Sequence, residues 1–364
     1  MSLDKSEILL PDLMAVCVEA AGKACETIRM IHRSGCLCPI EKGDGRDSVT
    51  GSIVADLQTE ADRQSEIIIF SVLRKHLGAN VAIVGEEESS SDFVARNHSR
   101  IHDVSGGGII YEDVRNTLIN QSPSSANVLV KLGELTIFVD PLDGTREFIN
   151  GQLPLVTVLI GVSLRGSRLC GVIAKPFSEE GIEPPSSFMY GVVGIGSFLD
   201  HKPLVISDSQ NRGAPENITI ITSNNRSSRV LEGFLRRFPA ETLKEGGAGS
   251  KCWRVASGAA HCYLYVRPGT KKWDILAGDA IISAMGGVVS DACGRPFYYT
   301  ADESTYNNDW GLMASLDRAL HFNSILPACY QALLDAAHDK SFSEWPSNLE
   351  IPPSPVFLPN SPKH

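Results

Sequence analysis

The sequence contains no long apolar run. Its most apolar stretch, residues 153–164, is twelve residues long and stops at Arg165, well short of the roughly 20 residues a helix needs to cross a bilayer. Basic residues are in deficit, 33 Lys and Arg against 43 Asp and Glu for a net charge of -10. That balance argues against a nucleic-acid polymer as partner, since polymer binding rests on a basic surplus. The nine cysteines form no CxxC pair and no Cys/His set at zinc spacing, and Cys36 and Cys38, the closest two, suit neither a structural metal nor a redox motif. They read as reduced, packed thiols. There is no Gly-Lys-Ser/Thr phosphate loop, and Gly191-Val-Val-Gly-Ile-Gly196 has the wrong spacing for a dinucleotide fingerprint. The opening MSLDKSEILLPD lacks the basic start and apolar core of a secretory signal. A cytoplasmic location is therefore expected, and the Asn-x-Ser/Thr matches at Asn97, Asn120, Asn217 and Asn225 carry no glycosylation meaning. The histidines are dispersed and read mostly as surface residues.

What is present fits an α/β enzyme of about two domains. Leu13, Val16, Ala20, Ala24, Ile28 and Ile31 keep helical spacing between Pro11 and Gly35, and a second helix is predicted over 59–76 with Gly78 as its stop. Short apolar runs at 81–84, 135–140, 156–164 and 168–174 read as strands, and 191–198 as the start of a further hairpin. Residues 89–133 are polar and glycine- and serine-rich, and read as an insertion or flexible loop. Beyond 205, strands at 218–222, 262–266 and 288–291 alternate with helices at 228–238, 251–257 and 273–285. The expected division is an N-terminal α+β domain over 1–180, an α/β domain over 181–340, and a proline-rich tail over 341–364 that trails along the surface.

The chemistry is carried by acids at the ends of elements. Asp140-Pro141-Leu142-Asp143-Gly144-Thr145 follows an apolar strand directly. Its two carboxylates and the intervening carbonyl can converge on a hard cation, although a bare DxxDG is more often just a turn. Asp62, Glu86 and Asp274 stand alone as unremarkable first-turn or loop acids. If they share one site with Asp140 and Asp143, their mutual repulsion of roughly 4 kcal/mol per pair near 4 Å demands divalent metal. Gly246-Gly247-Ala248-Gly249-Ser250-Lys251 precedes a helix, where amides and a lysine suit an anion.

Val84-Gly85-Glu86-Glu87, the Asp140–Thr145 motif, and Lys271-Lys272-Trp273-Asp274 followed by Ala277-Gly278-Asp279-Ala280 resemble, in order and spacing, the inositol monophosphatase superfamily. The segments Asp56–Arg63, Gly246–Lys251 and Pro268–Asp274 are most similar to its 3'(2'),5'-bisphosphate nucleotidase branch. The resemblance implies a layered α/β/α/β/α sandwich and a magnesium-dependent, lithium-sensitive phosphatase with two to three Mg2+ ions. Its substrate would be a small phosphorylated metabolite, adenosine 3',5'-bisphosphate with its sulfated analogue as a second, and no membrane partner is implied. By the same resemblance Glu86, Asp140 and the Leu142 carbonyl hold the first metal, Asp140, Asp143 and Asp274 the second, and Asp62 with Glu86 a third. Asp62 and Thr145 activate water. Gly144, Thr145, Ser223, Arg226, Gly247, Lys251 and Asp274 face the substrate. The sequence departs from the pattern in a longer 41–52 loop, and Arg226 stands where the nucleotidases carry a histidine. An inositol polyphosphate 1-phosphatase is the alternative, and a non-catalytic binding protein a lesser one.

Overall fold

The computed structural model describes residues 6–35, 37–41, 57–87, 109–178, 186–205, 218–224, 228–338 and 351–356. Helix α1 (Leu10–Ser34) starts with Pro11, whose missing N–H is harmless in a first turn, and ends at Gly35 in the left-handed conformation. Helix α2 (Glu60–Leu77) is opened by a reciprocal capping box between Thr59 and Asp62. Helix α3 (Ile109–Gln121) lies inside the segment read from sequence as an insertion or loop. That reading is corrected: 109–121 is helical, followed by a short strand at Leu129–Lys131 that pairs with Glu7–Leu9. Among the described side chains of α3 only Val114 and Leu118, one turn apart, are fully buried, so its apolar stripe is too thin to stand out in a polar stretch.

Seven strands form the first sheet: β1 (Ala82–Gly85), β2 (Leu135–Asp143), β3 (Thr157–Leu164), β4 (Ser167–Lys175), β5 (Ser187–Val192), β6 (Gly196–Leu199) and β7 (Lys202–Pro203), ordered β7-β6-β5-β4-β3-β2-β1. Only β1–β2 is parallel. This sheet draws strands from both sides of residue 180. The second sheet holds β8 (Thr219–Ser223), β9 (Glu241–Glu245), β10 (Cys262–Tyr265), β11 (Val288–Ser290) and β12 (Leu312–Ser315), ordered β9-β8-β10-β12-β11. Five further helices matter for the layering: α4 (Thr145–Ile149), α5 (Arg229–Arg237), α6 (Ala248–Ala256), α7 (Lys272–Ala284) and α8 (Leu326–Ala337).

Alternation along the strands sorts these elements into five layers. Ile137, Val139, Val158 and Ile160 pack under α1 and α2. Phe138, Leu159, Ile173 and Met189 point the other way, onto α6 and α7, which in turn cover Ile221, Tyr263 and Ala314 of the second sheet. The opposite face of that sheet, with Ile220, Leu264 and Met313, packs on α5 and α8. The order is helices, sheet, helices, sheet, helices, the α/β/α/β/α sandwich. In the tail, the Val356 amide donates to the Cys293 carbonyl at 2.8 Å and the Tyr330 hydroxyl donates to the Pro352 carbonyl, so residues 351–356 lie against the outermost layer.

One packing feature bears directly on function. Gly161, Gly171 and Gly191 are register partners across β3, β4 and β5. A Cβ at Gly161 would stand 2.7 Å from the Ala277 amide nitrogen, and one at Gly171 would stand 2.8 Å from the Ala277 Cα. A Cβ at Gly191 would stand 2.9 Å from the Ile281 Cα. This bare row lets α7 settle against the sheet at backbone distance, and α7 carries Asp274 in its first turn. Gly191 thus has a packing role.

Candidate active site

Asp140 and Asp143 are three apart, and in a regular strand residues i and i+3 face opposite sides. Here Asp140 pairs with Leu159 and Asp143 with Thr157, so three steps on β2 match two on β3. The extra residue is a β-bulge, placed where Pro141 has no N–H for the ladder. It turns both carboxylates into one cavity of about 270 Å³, lined also by Glu86, Leu142, Thr145 and Asp274. Glu86 arrives at the end of β1, where its amide continues the ladder to the Val139 carbonyl at 3.1 Å. Asp274 arrives on the first turn of α7, where it accepts the Lys271 amide at 2.7 Å.

Thr145 opens α4 behind Gly144, which takes a left-handed conformation and lines the same cavity. The Thr145 hydroxyl donates to Asp62 Oδ1 at 2.9 Å and lies 3.2 Å from the Leu142 carbonyl. The other oxygen of Asp62 accepts the Thr59 amide at 2.7 Å and the Thr59 hydroxyl at 2.5 Å. Asp62 is 1% exposed and sits behind Thr145, outside the cavity lining. The Thr59 cap therefore fixes a buried carboxylate that in turn fixes the Thr145 hydroxyl.

The glycine-rich loop behaves differently from the sequence expectation. Helix α6 begins at Ala248, three residues before its predicted start, which moves Lys251 from the loop into the first turn. The Ala248 and Gly249 amides donate to the Asp143 carboxylate at 2.9 and 2.8 Å, and the Thr157 hydroxyl adds a third donor at 2.7 Å. The anion at this helix N-terminus is the protein's own Asp143. Gly247, with φ of +64°, permits the fit, since a Cβ there would stand 2.9 Å from Asp143 Oδ2. Lys251 lines the cavity but is 2% exposed. Its ammonium donates to the Gly247 carbonyl, with the Glu245 carbonyl at 3.4 Å, and sits 5.2 Å from the Tyr263 ring centroid. It holds the loop from beneath.

Ser223, at the end of β8, lines the cavity with Asn224, whereas Arg226 and residues 42–52 lie outside the described residues. Sequence reasoning missed Arg146, Glu147, Tyr263, Tyr265 and Thr270 in the lining. Arg146 and Glu147 directly follow the Asp140–Thr145 motif and were within reach of it. The two tyrosines alternate with Leu264 on β10 and read only as core. Glu66 was missed as well: buried on α2, it accepts the Glu87 amide at 3.1 Å and so braces the turn that carries Glu86.

Five acids, Glu86, Asp140, Asp143, Glu147 and Asp274, face the cavity against Arg146 and Lys251. Burial holds the Asp140 carboxyl well above the usual carboxylate range, with Glu86, Asp143 and Asp274 adding to the effect. Burial, then Glu86, raises Asp274 to about 8, against the Lys271 amide, which favours its ionised form. No three acid, imidazole or thiol side chains among the described residues are already drawn into a closed metal cage. Yet a set of hard oxygen donors that repel one another, Asp140 and Asp143 buried and Glu86 and Asp274 partly so, supplemented by the Leu142 carbonyl, is the donor chemistry that divalent magnesium takes. It is hostile to a phosphate without such a cation.

Five alternating layers around one acidic cleft define the class, a phosphoric monoester hydrolase of the layered phosphatase type. The chain belongs to the inositol monophosphatase family, whose sequence profile matches residues 12–324. The 3'(2'),5'-bisphosphate nucleotidase 1 of Homo sapiens is 30% identical over 327 residues, 88% of this chain and 96% of that protein. The Golgi-resident adenosine 3',5'-bisphosphate 3'-phosphatase of Rattus norvegicus is 28% identical over 327 residues, 87% of this chain and 80% of that one. Among solved structures, the extragenic suppressor protein suhB of Bartonella henselae shares the fold with a TM-score of 0.60 at 23% identity, covering 87% of this chain and 98% of its own. No helix among the described residues is long and apolar enough to cross a membrane.

Proposed function

We propose that this protein hydrolyses the 3'(2')-phosphate of adenosine 3',5'-bisphosphate, and of its sulfated analogue, in a Mg2+-dependent reaction. The observation that carries the chemistry is the Thr145–Asp62 hydrogen bond at the wall of the acidic cleft. The substrate class rests on the bisphosphate nucleotidase similarity over most of the chain. Glu86, Asp140 and the Leu142 carbonyl would hold one ion, Asp140, Asp143 and Asp274 a second, and Asp62 with Glu86 a third. Bound magnesium supplies neutralisation of the phosphoryl oxygens and a more acidic water. Thr145, its proton committed to Asp62, keeps oxygen lone pairs for the cleft, where they accept a hydrogen bond from the attacking water and aim it. Asp62 takes up the proton that Thr145 passes on. Gly144 and Ser223 border the phosphate, Lys251 and Gly247 shape the loop beside it, and Arg226 is the residue assigned to the part of the substrate that is not cleaved, by stacking on the adenine or forking onto the second phosphate.

Phosphate release from adenosine 3',5'-bisphosphate, inositol 1,4-bisphosphate, inositol 1-phosphate and fructose 1,6-bisphosphate tests the assignment. The adenosine substrate should lead by more than tenfold in kcat/KM, and an equal lead for either inositol phosphate would transfer the chain to the other branch. Lithium sensitivity belongs to the same reading. Inhibition should need far less LiCl than NaCl and should require Mg2+, and matched insensitivity to both salts would remove the chain from the lithium-sensitive group. The eight cysteines among the described residues are free thiols, seven of them buried, which supports a reducing, cytoplasmic setting. Fractionation of cells expressing the full chain tests that placement against the Golgi.

A further inference from the structure

A second cavity, of about 330 Å³, shares no lining residue with the catalytic cleft. Lys272, Phe297, Trp310, Arg295 and Asp309 are on its walls. Lys272 is the first residue of α7 and is 9% exposed. Its ammonium lies 4.8 Å from the Phe297 ring centroid and 5.4 Å from that of Tyr299, and it makes no hydrogen bond and no ion pair to any described residue. A lysine so nearly buried ordinarily has an acceptor, because a buried charge without one is strongly unfavourable.

The nearby acids do not supply that acceptor. Asp279 is taken by Arg168, Tyr299 and Ser283, with the Tyr299 hydroxyl at 2.7 Å. Asp291 accepts the Cys293 and Arg295 amides and the Arg295 Nε at 2.6 Å. Arg295 spreads over Trp310 at 4.3 Å, and its two terminal nitrogens donate to no described group. Two cations from separate elements, the start of α7 and the turn after β11, thus bring unused N–H donors to one cavity. Asp309 opposes them from the same wall.

We infer that this cavity is a second ligand site, which takes the tetrahedral phosphoryl or sulfuryl group of a small metabolite between Lys272 and Arg295. Donors arriving from two directions match an anion with acceptors on all sides better than a planar carboxylate. The volume is at the low end for small-molecule sites and leaves room for a small organic body beyond the head group. The N-terminus of a 13-residue helix adds to the attraction. Lys272 lies two residues before Asp274 on the same helical turn, so occupancy would be felt next to the catalytic cleft.

Calorimetric titration of the full chain in EDTA tests this, with sodium sulfate, inorganic phosphate and sodium acetate as separate arms at constant ionic strength. Without metal, the acids of the catalytic cleft repel anions, so a saturable heat reports the second cavity. Sulfate and phosphate should each bind at one site, and acetate at least tenfold more weakly. Lys272→Met and Arg295→Gln should each weaken sulfate binding at least tenfold, whereas Asp309→Asn should tighten it severalfold. A gain of affinity is an outcome that impaired folding does not produce, and Arg295→Gln on the rim together with Asp309→Asn decides the matter if Lys272→Met does not fold. Absence of saturable binding, equal binding of acetate, or binding that appears only with Mg2+ present would overturn the inference.

Discussion

At Thr145 one hydroxyl proton has two acceptors within reach, Asp62 Oδ1 at 2.9 Å and the Leu142 carbonyl at 3.2 Å. The carboxylate oxygen is the nearer acceptor of the two, so the proton points inward and the lone pairs outward. Thr145→Val keeps the shape and removes the relay. Turnover should fall by about 10²-fold or more with little change in KM, since positioned proton transfer is worth roughly 10²–10⁴, while Thr145→Ser should retain most of the rate. Steady-state kinetics on both variants decides it, and a near-normal Thr145→Val would remove Thr145 from the reaction. Much of this residue-scale picture was legible. Element ends pointed to five acids, which the family resemblance made a set; the cavity wall contains Glu86, Asp140, Asp143 and Asp274, while Asp62 stands behind it. Not legible was where the hydrogen bonds go. Nothing in Gly246–Lys251 says that its amides turn to Asp143, 105 residues earlier in the chain, or that Lys251 folds back under its own loop.

Elements with a strong apolar signal announce themselves, and those without one do not. Strand β2 and helix α1 were readable because both are packed along most of their length, β2 on both faces, and so are almost continuously apolar. Strand β9, Glu-Thr-Leu-Lys-Glu, is a polar sheet edge with no residue fully buried, and α3 offers two core side chains, so neither shows in the sequence. The glycine row under α7 is an element-scale device of the same hidden kind, since its members lie on three strands. Gly171→Ala would drive a methyl into the Ala277 backbone. Such overpacking destabilises by about 1–3 kcal/mol, visible as a lower urea midpoint at unchanged slope. Because α7 carries Asp274, the variant should also need more Mg2+ for half-maximal activity. Gly133→Ala, with nothing within 4 Å of the new Cβ, should leave both measurements unchanged. Equal behaviour of the two variants would mean that close packing of α7 does not set the position of Asp274.

For the whole molecule, His321 and the carboxylates of the catalytic cleft give the pH dependence of stability two arms of opposite sign. His321, fully buried beside Ser290 on the outer face of the second sheet, departs from the expectation of mostly surface histidines. Burial, then Arg318, pulls its pKa down to about 3. A depressed folded-state pKa gives stability that is present above the unfolded value near 6.5 and is lost as pH falls toward 3, by about 2 kcal/mol at pH 5. In the catalytic cleft the direction reverses. Asp274 is raised to about 8 and Asp140 well above the carboxylate range, chiefly by burial. The folded protein then binds protons more tightly than the unfolded chain, so this stability is complete below about pH 4 and is lost as pH rises through 8. Urea midpoints from pH 4 to 9 in EDTA should therefore fall on both sides of a maximum. Saturating Mg2+ should lift only the alkaline side, since the cation takes the place of the protons and binds the folded state alone. Asp274→Asn should lift part of the same side without metal, and His321→Gln should flatten only the acid side. If Mg2+ left the alkaline arm where EDTA put it, the carboxylates gathered by the bulge of β2, the end of β1 and the first turn of α7 would not form a metal site at all.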